Sequence, residues 1–347
     1  MLRPDKTKLD QLRRIASLLL DEGTPAHMLR PEILEMMELL QVPVDPQGDI
    51  SNGETRTAGG LALSPTMAAM CAGDYVRTIQ FIRGTHTAIA DVRKQFPDRP
   101  ARVLYVGCGP IAPLALPLMA VHLEAEARFT LLDLHAESIE SAKSIVGALR
   151  LAEHVTCFET MDATAYRIDP ENPPDIILME IMQACLEAEP QVAIARHLLP
   201  QAPSAIVVPE EVCIGLALVD PSHEFVLGDA KADENSRERK RTPVGAVFAL
   251  NRECVDAWEN NSTSRLPAST VRIPESMEPQ FQPMLFTRIR VYKNHVLKNY
   301  DSGLTCPKSL PTQTEIKPGD TLRFHYELGS RPRLRCRICK PPRREPH

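Results

Sequence analysis

The chain has 347 residues, 43% of them hydrophobic and 24% charged, with a formal net charge of −5 at pH 7 and a pI near 6.1. That length holds two domains with ample core, and the composition is that of an ordinary soluble globular protein. Net negative charge gives no general case for nucleic acid or an anionic membrane as partner, no apolar run is long enough to span a bilayer, and the opening MLRPDKTKLDQ lacks a signal-peptide pattern. The nine cysteines sit mostly in apolar runs and read as reduced core residues of a cytoplasmic protein. Cys336 and Cys339 form a lone CxxC with no second pair at zinc spacing, so no metal site is expected. The 31 prolines cluster in connections and in the tail, which predicts a loop-rich β part outside an α/β core.

Residues 8–20 place Leu9, Leu12, Ile15, Ala16 and Leu19 on one helical face, and Gly23 and Pro25 stop that helix. A second helix starts near Pro31. Residues 41–60 are polar and rich in turn formers, and read as a linker or lid loop. Residues 64–94 read as one helix behind a Ser64-Pro65 start. From 102 the pattern alternates. Strands are expected at 102–107, 129–133, 155–159, 175–180 and 205–208, with helices at 136–150 and 187–199 among the intervening segments. That alternation predicts a parallel, doubly wound α/β sheet. After Pro209 come short strand candidates separated by turn signals, including VCIGLALVD, AVFALN, MLFTRIRVY and TLRFHYEL, which predict a β-rich barrel or sandwich. The expected boundaries are a helical segment and linker at 1–60, the α/β domain at 61–209, the β domain at 210–330 and a basic, frayed tail at 331–347.

The stretch richest in chemistry is ARVLYVGCGPIAPLALPL, residues 101–118. A buried strand runs into Gly107-Cys108-Gly109, followed by a small-residue helical run, and such a turn can leave backbone N–H groups bare for a nucleotide or nucleoside. Position 112 is alanine where a dinucleotide fingerprint has its third glycine, and no Walker lysine is present. The second strand ends in Asp133, beside Leu134, and the third ends near Asp162 and Ala163. An acid at the end of the second strand can accept both ribose hydroxyls, and one at the third can accept from an adenine amino group. An adenosine without a pyrophosphate suits this set, and S-adenosylmethionine is such a ligand.

These spacings resemble class I S-adenosylmethionine-dependent methyltransferases, and over residues 70–330 they resemble the protein arginine methyltransferases. Asp74-Tyr75-Val76-Arg77-Thr78 is similar to the D-x-x-R-T motif, Val106-Gly107-Cys108-Gly109 to the glycine motif, and Asp133 to the ribose-binding acid. Glu180-Ile181-Met182-Gln183 through Glu189 resembles the double-glutamate loop, and Ile206 to Glu210 the junction into a β-barrel. The resemblance implies a Rossmann-like sheet with a C-terminal β-barrel-like domain and S-adenosylmethionine as cofactor. It implies that Arg77 grips the methionine carboxylate, and that Gly107, Cys108, Gly109, Asp133, Leu134, Asp162, Ala163 and Glu180 line the cofactor site. Glu180 and Glu189 would be the catalytic carboxylates. The sequence departs at Tyr105, Ile111, Ile181 and Gln183, and Leu304-Thr305-Cys306-Pro307-Lys308 stands where the family has its T-H-W loop. The altered substrate side predicts methyl transfer to a nitrogen or oxygen of a small-molecule acceptor. The alternatives are peptide or protein arginine, a nicotinamide-dependent oxidoreductase, and a cofactor-binding protein without catalysis; a homodimer is possible. Glu187 competes with Glu189 as the inward carboxylate. His135 reads either as a neighbour of the ribose or as a loop histidine. His86 and His325 are further candidate bases, and Tyr75 is either a lid or packing.

Overall fold

The apolar runs between residues 101 and 208 form one five-stranded parallel sheet in the computed structural model, which describes residues 6–40, 49–225, 239–258, 264–310 and 315–339. The helices are α1 Lys6–Leu20, α2 Arg30–Leu39, α3 Pro65–Cys71, α4 Tyr75–Gln95, α5 Leu116–Val121, α6 Ala136–Ala148, α7 Gln191–Leu198, α8 Pro221–Glu224 and α9 Arg252–Trp258. The strands are β1 Thr55–Arg56, β2 Leu61–Ala62, β3 Ala101–Val106, β4 Ala127–Asp133, β5 Val155–Thr160, β6 Ile176–Met179, β7 Ile206–Val208, β8 Glu211–Val219, β9 Arg241–Asn251, β10 Arg265–Arg272, β11 Gln282–Tyr292, β12 His295–Leu297, β13 Lys308–Ser309, β14 Thr321–Glu327 and β15 Arg333–Cys339.

The parallel sheet has the order β5-β4-β3-β6-β7. β6 is buried along its whole length and β3 along nearly all of it, because helices cover both faces of such a sheet. The winding reverses at β3, and a crevice at the carboxyl ends of the strands is where a doubly wound α/β fold places its ligand. The amphipathic face predicted for α1 is the buried one, with Leu12, Ile15, Ala16 and Leu19 fully covered. Arg83 of α4 closes the end of α1, donating to the carbonyls of Leu19, Asp21 and Thr24 at 2.7, 2.6 and 2.9 Å. The Leu19 carbonyl is among the last acceptors of α1, which have no partner within the helix.

Four local expectations change. The helix expected over 64–94 is two helices broken at Gly73-Asp74, with Ser64 capping α3 through the Met67 N–H at 3.1 Å. No helix opens on the glycine turn: α5 begins only at Leu116. Pro113 lacks an N–H and disfavours helical backbone at the residue before it, and Ala112 there has φ 38°. The helix expected from 187 begins at Gln191, because Ala188 is left-handed at φ 64°. The expected frayed tail instead carries β15, whose arginines alternate with Leu334, Cys336 and Ile338 so that Leu334 is buried. The expected linker at 41–60 falls partly outside the described residues; within 49–62 it forms the β1–β2 hairpin.

The second half is antiparallel. β8 lies between β9 and β11, with β12 and β13 also on β11, and β14 lies between β10 and β15. β10 packs beside β9, which brings the two sheets together around Phe248, stacked on Tyr326 at 4.8 Å and on Trp258 at 5.5 Å between ring centroids. α4 bridges the halves. A Cβ on its Gly84 would sit 2.6 Å from Val291 Cγ1, so the bare backbone sets how closely α4 approaches β11. Gly84→Ala should therefore destabilise by roughly 1–3 kcal/mol, despite the gain of about 1 kcal/mol that alanine brings to a helix interior. Adding Val291→Ala should recover part of the loss in a denaturant melt. An unchanged or raised midpoint in Gly84→Ala alone would show that the interface yields freely.

Candidate functional site

The carboxyl ends of β3, β4, β5 and β6 open onto one cavity of about 400 Å³. Arg77, Gly107, Cys108, Gly109, Asp133, Leu134, Asp162, Ala163, Glu180 and Glu189 all line it. The glycine turn works differently from a nucleotide cradle. Gly107 and Gly109 have φ 71° and 62°, but the N–H groups of Gly107 and Cys108 donate to the Leu132 carbonyl, at 2.8 and 3.1 Å. The Gly109 N–H donates to Asp133 Oδ2 at 2.9 Å. The turn thus holds the Asp133 carboxylate at the cavity wall. A side chain at Gly107 would meet Ile181 Cγ1 at 2.8 Å, so the residue is fixed by contact as well as by φ.

Asp133 also accepts from the His135 N–H at 2.9 Å, which leaves further lone pairs on both of its oxygens. The His135 ring lies 3.6 Å from the same carboxylate, and its Nε2 is 3.0 Å from Thr55 Oγ1. The Asp133 carboxylate beside the ring raises the affinity of His135 for its proton. Asp162 accepts from Thr164 through Oδ1 alone, leaving Oδ2 free of protein partners among the described residues. Burial pushes the Cys108 thiol well up, which suits a filler and not a nucleophile.

At the other end stand Arg77, Glu180 and Glu189, all largely buried. Arg77 Nη2 lies 3.3 Å from Glu180 Oε2 and donates to the Cys71 carbonyl at 2.8 Å. Burial pushes Glu180 up to about 7 against the pull of Arg77. Burial, with Glu180 close by, pushes Glu189 up to about 8, against Arg77 and a hydrogen bond from Gln183. One guanidinium faces two carboxyls, so at neutral pH the unliganded site holds on to protons.

The loop carrying the two glutamates is held from outside the parallel sheet. Cys185, Leu186 and Ala188 have φ of 61°, 55° and 64°, conformations that cost energy for residues with a Cβ. The Cys185 N–H donates to Thr287 of β11 at 2.8 Å, Tyr326 of β14 donates to the Leu186 carbonyl at 2.5 Å, and the Ala188 N–H donates to the Pro332 carbonyl at 2.9 Å. Leu61 of β2 donates to the Ala188 carbonyl at 2.8 Å. Gln191 spans the base of the loop, accepting from Ile181 N–H at 3.0 Å and donating to Met179 O at 3.2 Å. Glu187 turns away to Lys308 at 2.7 Å and does not line the cavity, so Glu189 is the inward member of that pair.

Sequence reasoning missed Thr57, Ala62 and Leu63, which come from the β1–β2 hairpin and the segment after it, and Gly303 after β12; Leu304 and Lys308 of the stretch set at the place of the T-H-W loop also line the cavity. Thr57-Ala58-Gly59-Gly60 was a readable turn signal, with Thr57 Oγ1 accepting from the N–H groups of Gly59 and Gly60 at 3.1 and 3.2 Å. Asp74 supplies a further tie, accepting from Ser302 Oγ at 2.7 Å and from the Gly303 N–H at 3.1 Å. His86 pairs with His122 at 3.0 Å away from the cavity, His325 lies on β14, and Tyr75 packs against the core without lining the cavity. Among the described residues no group of His, Cys, Asp and Glu could hold a metal ion, and no helix is long and apolar enough to cross a membrane.

No family model matches this chain, and no curated protein matches it either. Among solved structures it is similar to a chain of the Trypanosoma brucei PRMT1 enzyme-prozyme heterotetrameric complex with AdoHcy. The two are 12% identical, with a TM-score of 0.50, over 80% of this chain and 94% of that one. At that identity the likeness establishes a shared fold: a Rossmann-like parallel sheet followed by antiparallel β structure.

The buried carboxyls predict a pH signature. In the folded, unliganded protein they keep their protons up to about 7 and about 8. In the unfolded chain they lose them near 4.3. Unfolding therefore releases protons between those limits, and their contribution to stability falls as pH rises. Glu180→Gln/Glu189→Gln removes that term. Its stability relative to the wild type should climb between pH 5 and 8, by up to about 1.4 kcal/mol per pH unit for each carboxyl. A difference independent of pH in urea titrations would mean the two carboxyls are ionised as ordinary surface groups.

Proposed function

We propose that this chain is an S-adenosylmethionine-dependent methyltransferase acting on a nitrogen or oxygen of a small-molecule acceptor. The observation that carries this reading is a single cavity in which Asp133 and Asp162 stand at neighbouring strand ends while Arg77, Glu180 and Glu189 are buried in the same wall. The solved neighbour of the same fold holds AdoHcy, which supports the choice of cofactor. The residues fit it chemically. Asp133 has acceptor capacity left for ribose hydroxyls, Oδ2 of Asp162 is available to an amino group, and Arg77 is a buried cation suited to an α-carboxylate. Leu134, Ala163 and Met161 supply apolar wall.

Bound there, S-adenosylmethionine supplies a methyl group on a sulfonium centre. The protein's part is alignment and exclusion of water. Arg77 and the acids fix one partner, and Glu180 with Glu189 hold an N–H or O–H donor at the other. A bound cation would favour their ionised forms, and a carboxylate of raised proton affinity is suited to take up the proton that the acceptor gives off. Lys308 places a cation in the wall, tied to Glu187 at 2.7 Å, and Ile181 and Gln183 reshape the loop. Both features favour a small acceptor over an arginine-rich peptide. On this reading residues 61–209 bind the cofactor and 210–330 brace the loop. Nine free cysteines are consistent with a reducing, cytoplasmic setting.

Calorimetry and an S-adenosylhomocysteine-release assay over small amines, guanidines and phenols test the reading. The product should bind tightly, Asp133→Ala should weaken it by at least tenfold, and Glu180→Gln should bind it while losing at least a hundredfold in turnover. Tight NADPH binding without S-adenosylhomocysteine binding would overturn the cofactor. Transfer to arginine in glycine–arginine-rich peptides, with none to small acceptors, would overturn the acceptor class.

A further inference from the structure

The three-stranded sheet β10-β14-β15 has a second face, turned away from the core formed by Leu322, Phe324, Tyr326 and Leu334. Strand alternation and register put Arg265, Arg272, Arg323, Arg333, Arg335 and Arg337 on it together. The face has no lysine, and its one carboxylate is Glu327, which already faces Arg335 at 2.8 Å, Arg265 at 3.9 Å and Arg333 at 4.0 Å. Arg272 pairs with Glu275 in the following turn. Arg323 and Arg337 stand directly opposite each other in the register, both exposed, with no ion-pair partner among the described residues. Like charges directly opposite are destabilising in a sheet. The fold bears that cost in a chain whose overall charge is −5, so positive charge is concentrated here and not spread. The sequence then continues with Lys340, Arg343 and Arg344.

We propose that this outer face docks the phosphate backbone of a nucleic acid. Guanidinium forks match phosphate oxygens in pairs. Arginines two apart along β15 repeat every ~7 Å, and Arg323 lies across from Arg337 at ~5 Å, so a row of guanidinium groups along β15 is widened to β14 at that pair. None of the exposed large hydrophobic side chains of the described residues lies on this sheet, so the face lacks the apolar anchors that carry protein–protein binding. Its aromatic residues, Phe324 and Tyr326, point inward, so bases have no stacking platform and recognition is by backbone charge without sequence preference. This surface is independent of the methyl-transfer reading.

Fluorescence anisotropy of a labelled 20-nucleotide RNA and of its duplex, titrated with the full chain between 50 and 200 mM salt, tests it. Binding should fall with a log–log salt slope of about −3 for the single strand. Arg323→Glu/Arg337→Glu should weaken it at least tenfold, and Arg323→Gln/Arg337→Gln should weaken it less while melting at or above the wild-type temperature, since like-charge repulsion is removed. Absence of binding at 50 mM salt, or unchanged binding in both double variants, would overturn the proposal. So would tighter binding to polyglutamate, or to vesicles containing phosphatidylserine, than to the RNA at matched charge. Those outcomes would assign the face to an acidic protein or to a membrane.

Discussion

Two carboxyls and one guanidinium buried in the same cavity form the constraint that the surrounding structure serves. Removing a charge from water costs several kcal/mol even after relaxation, and a buried pair returns that only when its geometry is good. A contrast within this protein makes the point. Arg99 grips Asp175 through both nitrogens at 2.6 and 2.7 Å, the Arg102 N–H adds a third bond at 2.9 Å, and the carboxylate is held below its usual range. That pair is satisfied and structural. Arg77 reaches Glu180 through one nitrogen at 3.3 Å, and Glu189 has no ion-pair partner of its own among the described residues. The arrangement is incomplete as a salt bridge, as expected of a site built to receive a charged ligand. Strongly displaced acids in a cleft are a mark of a functional site, and here the displacement has a named cause in burial and carboxyl–carboxyl proximity.

The same constraint explains the two-part architecture. A loop with three left-handed non-glycine residues does not hold itself. Thr287 and Tyr326 from the antiparallel half, Pro332 at the entry to β15 and Leu61 from the hairpin each satisfy a backbone group of that loop. The β region is therefore the outer clamp of the site. Asp74 repeats the device near Arg77, where it ties the start of α4 to Ser302 and Gly303. Parts of the chain more than two hundred residues apart are fastened around one cavity.

What the sequence disclosed follows the range of the interaction concerned. The central strands β3 and β6 were readable because burial on both faces makes them nearly continuously apolar, and Asp133 and Glu180 were readable because strand ends locate them. The glycine turn was legible as a turn, but the destination of its N–H groups was not. Those bonds run to Leu132 and Asp133 on the neighbouring strand. The choice between Glu187 and Glu189 depended on Lys308, more than a hundred positions away, and on the left-handed Ala188 between them. β15 was hidden by composition: its arginines suggested a solvated tail, while the alternation R-L-R-C-R-I-C already carried the period of a strand.

In the proposed function Arg77 exchanges its protein partner for a ligand carboxylate. The direct test is a crystal structure with S-adenosylhomocysteine bound. The expected result is adenosine between Asp133 and Asp162, the ligand carboxylate on Arg77, and Glu180 and Glu189 facing the space beside the sulfur. A ligand bound elsewhere, or one lying in the cavity with Arg77 still engaged only with Glu180 and the Cys71 carbonyl, would contradict it.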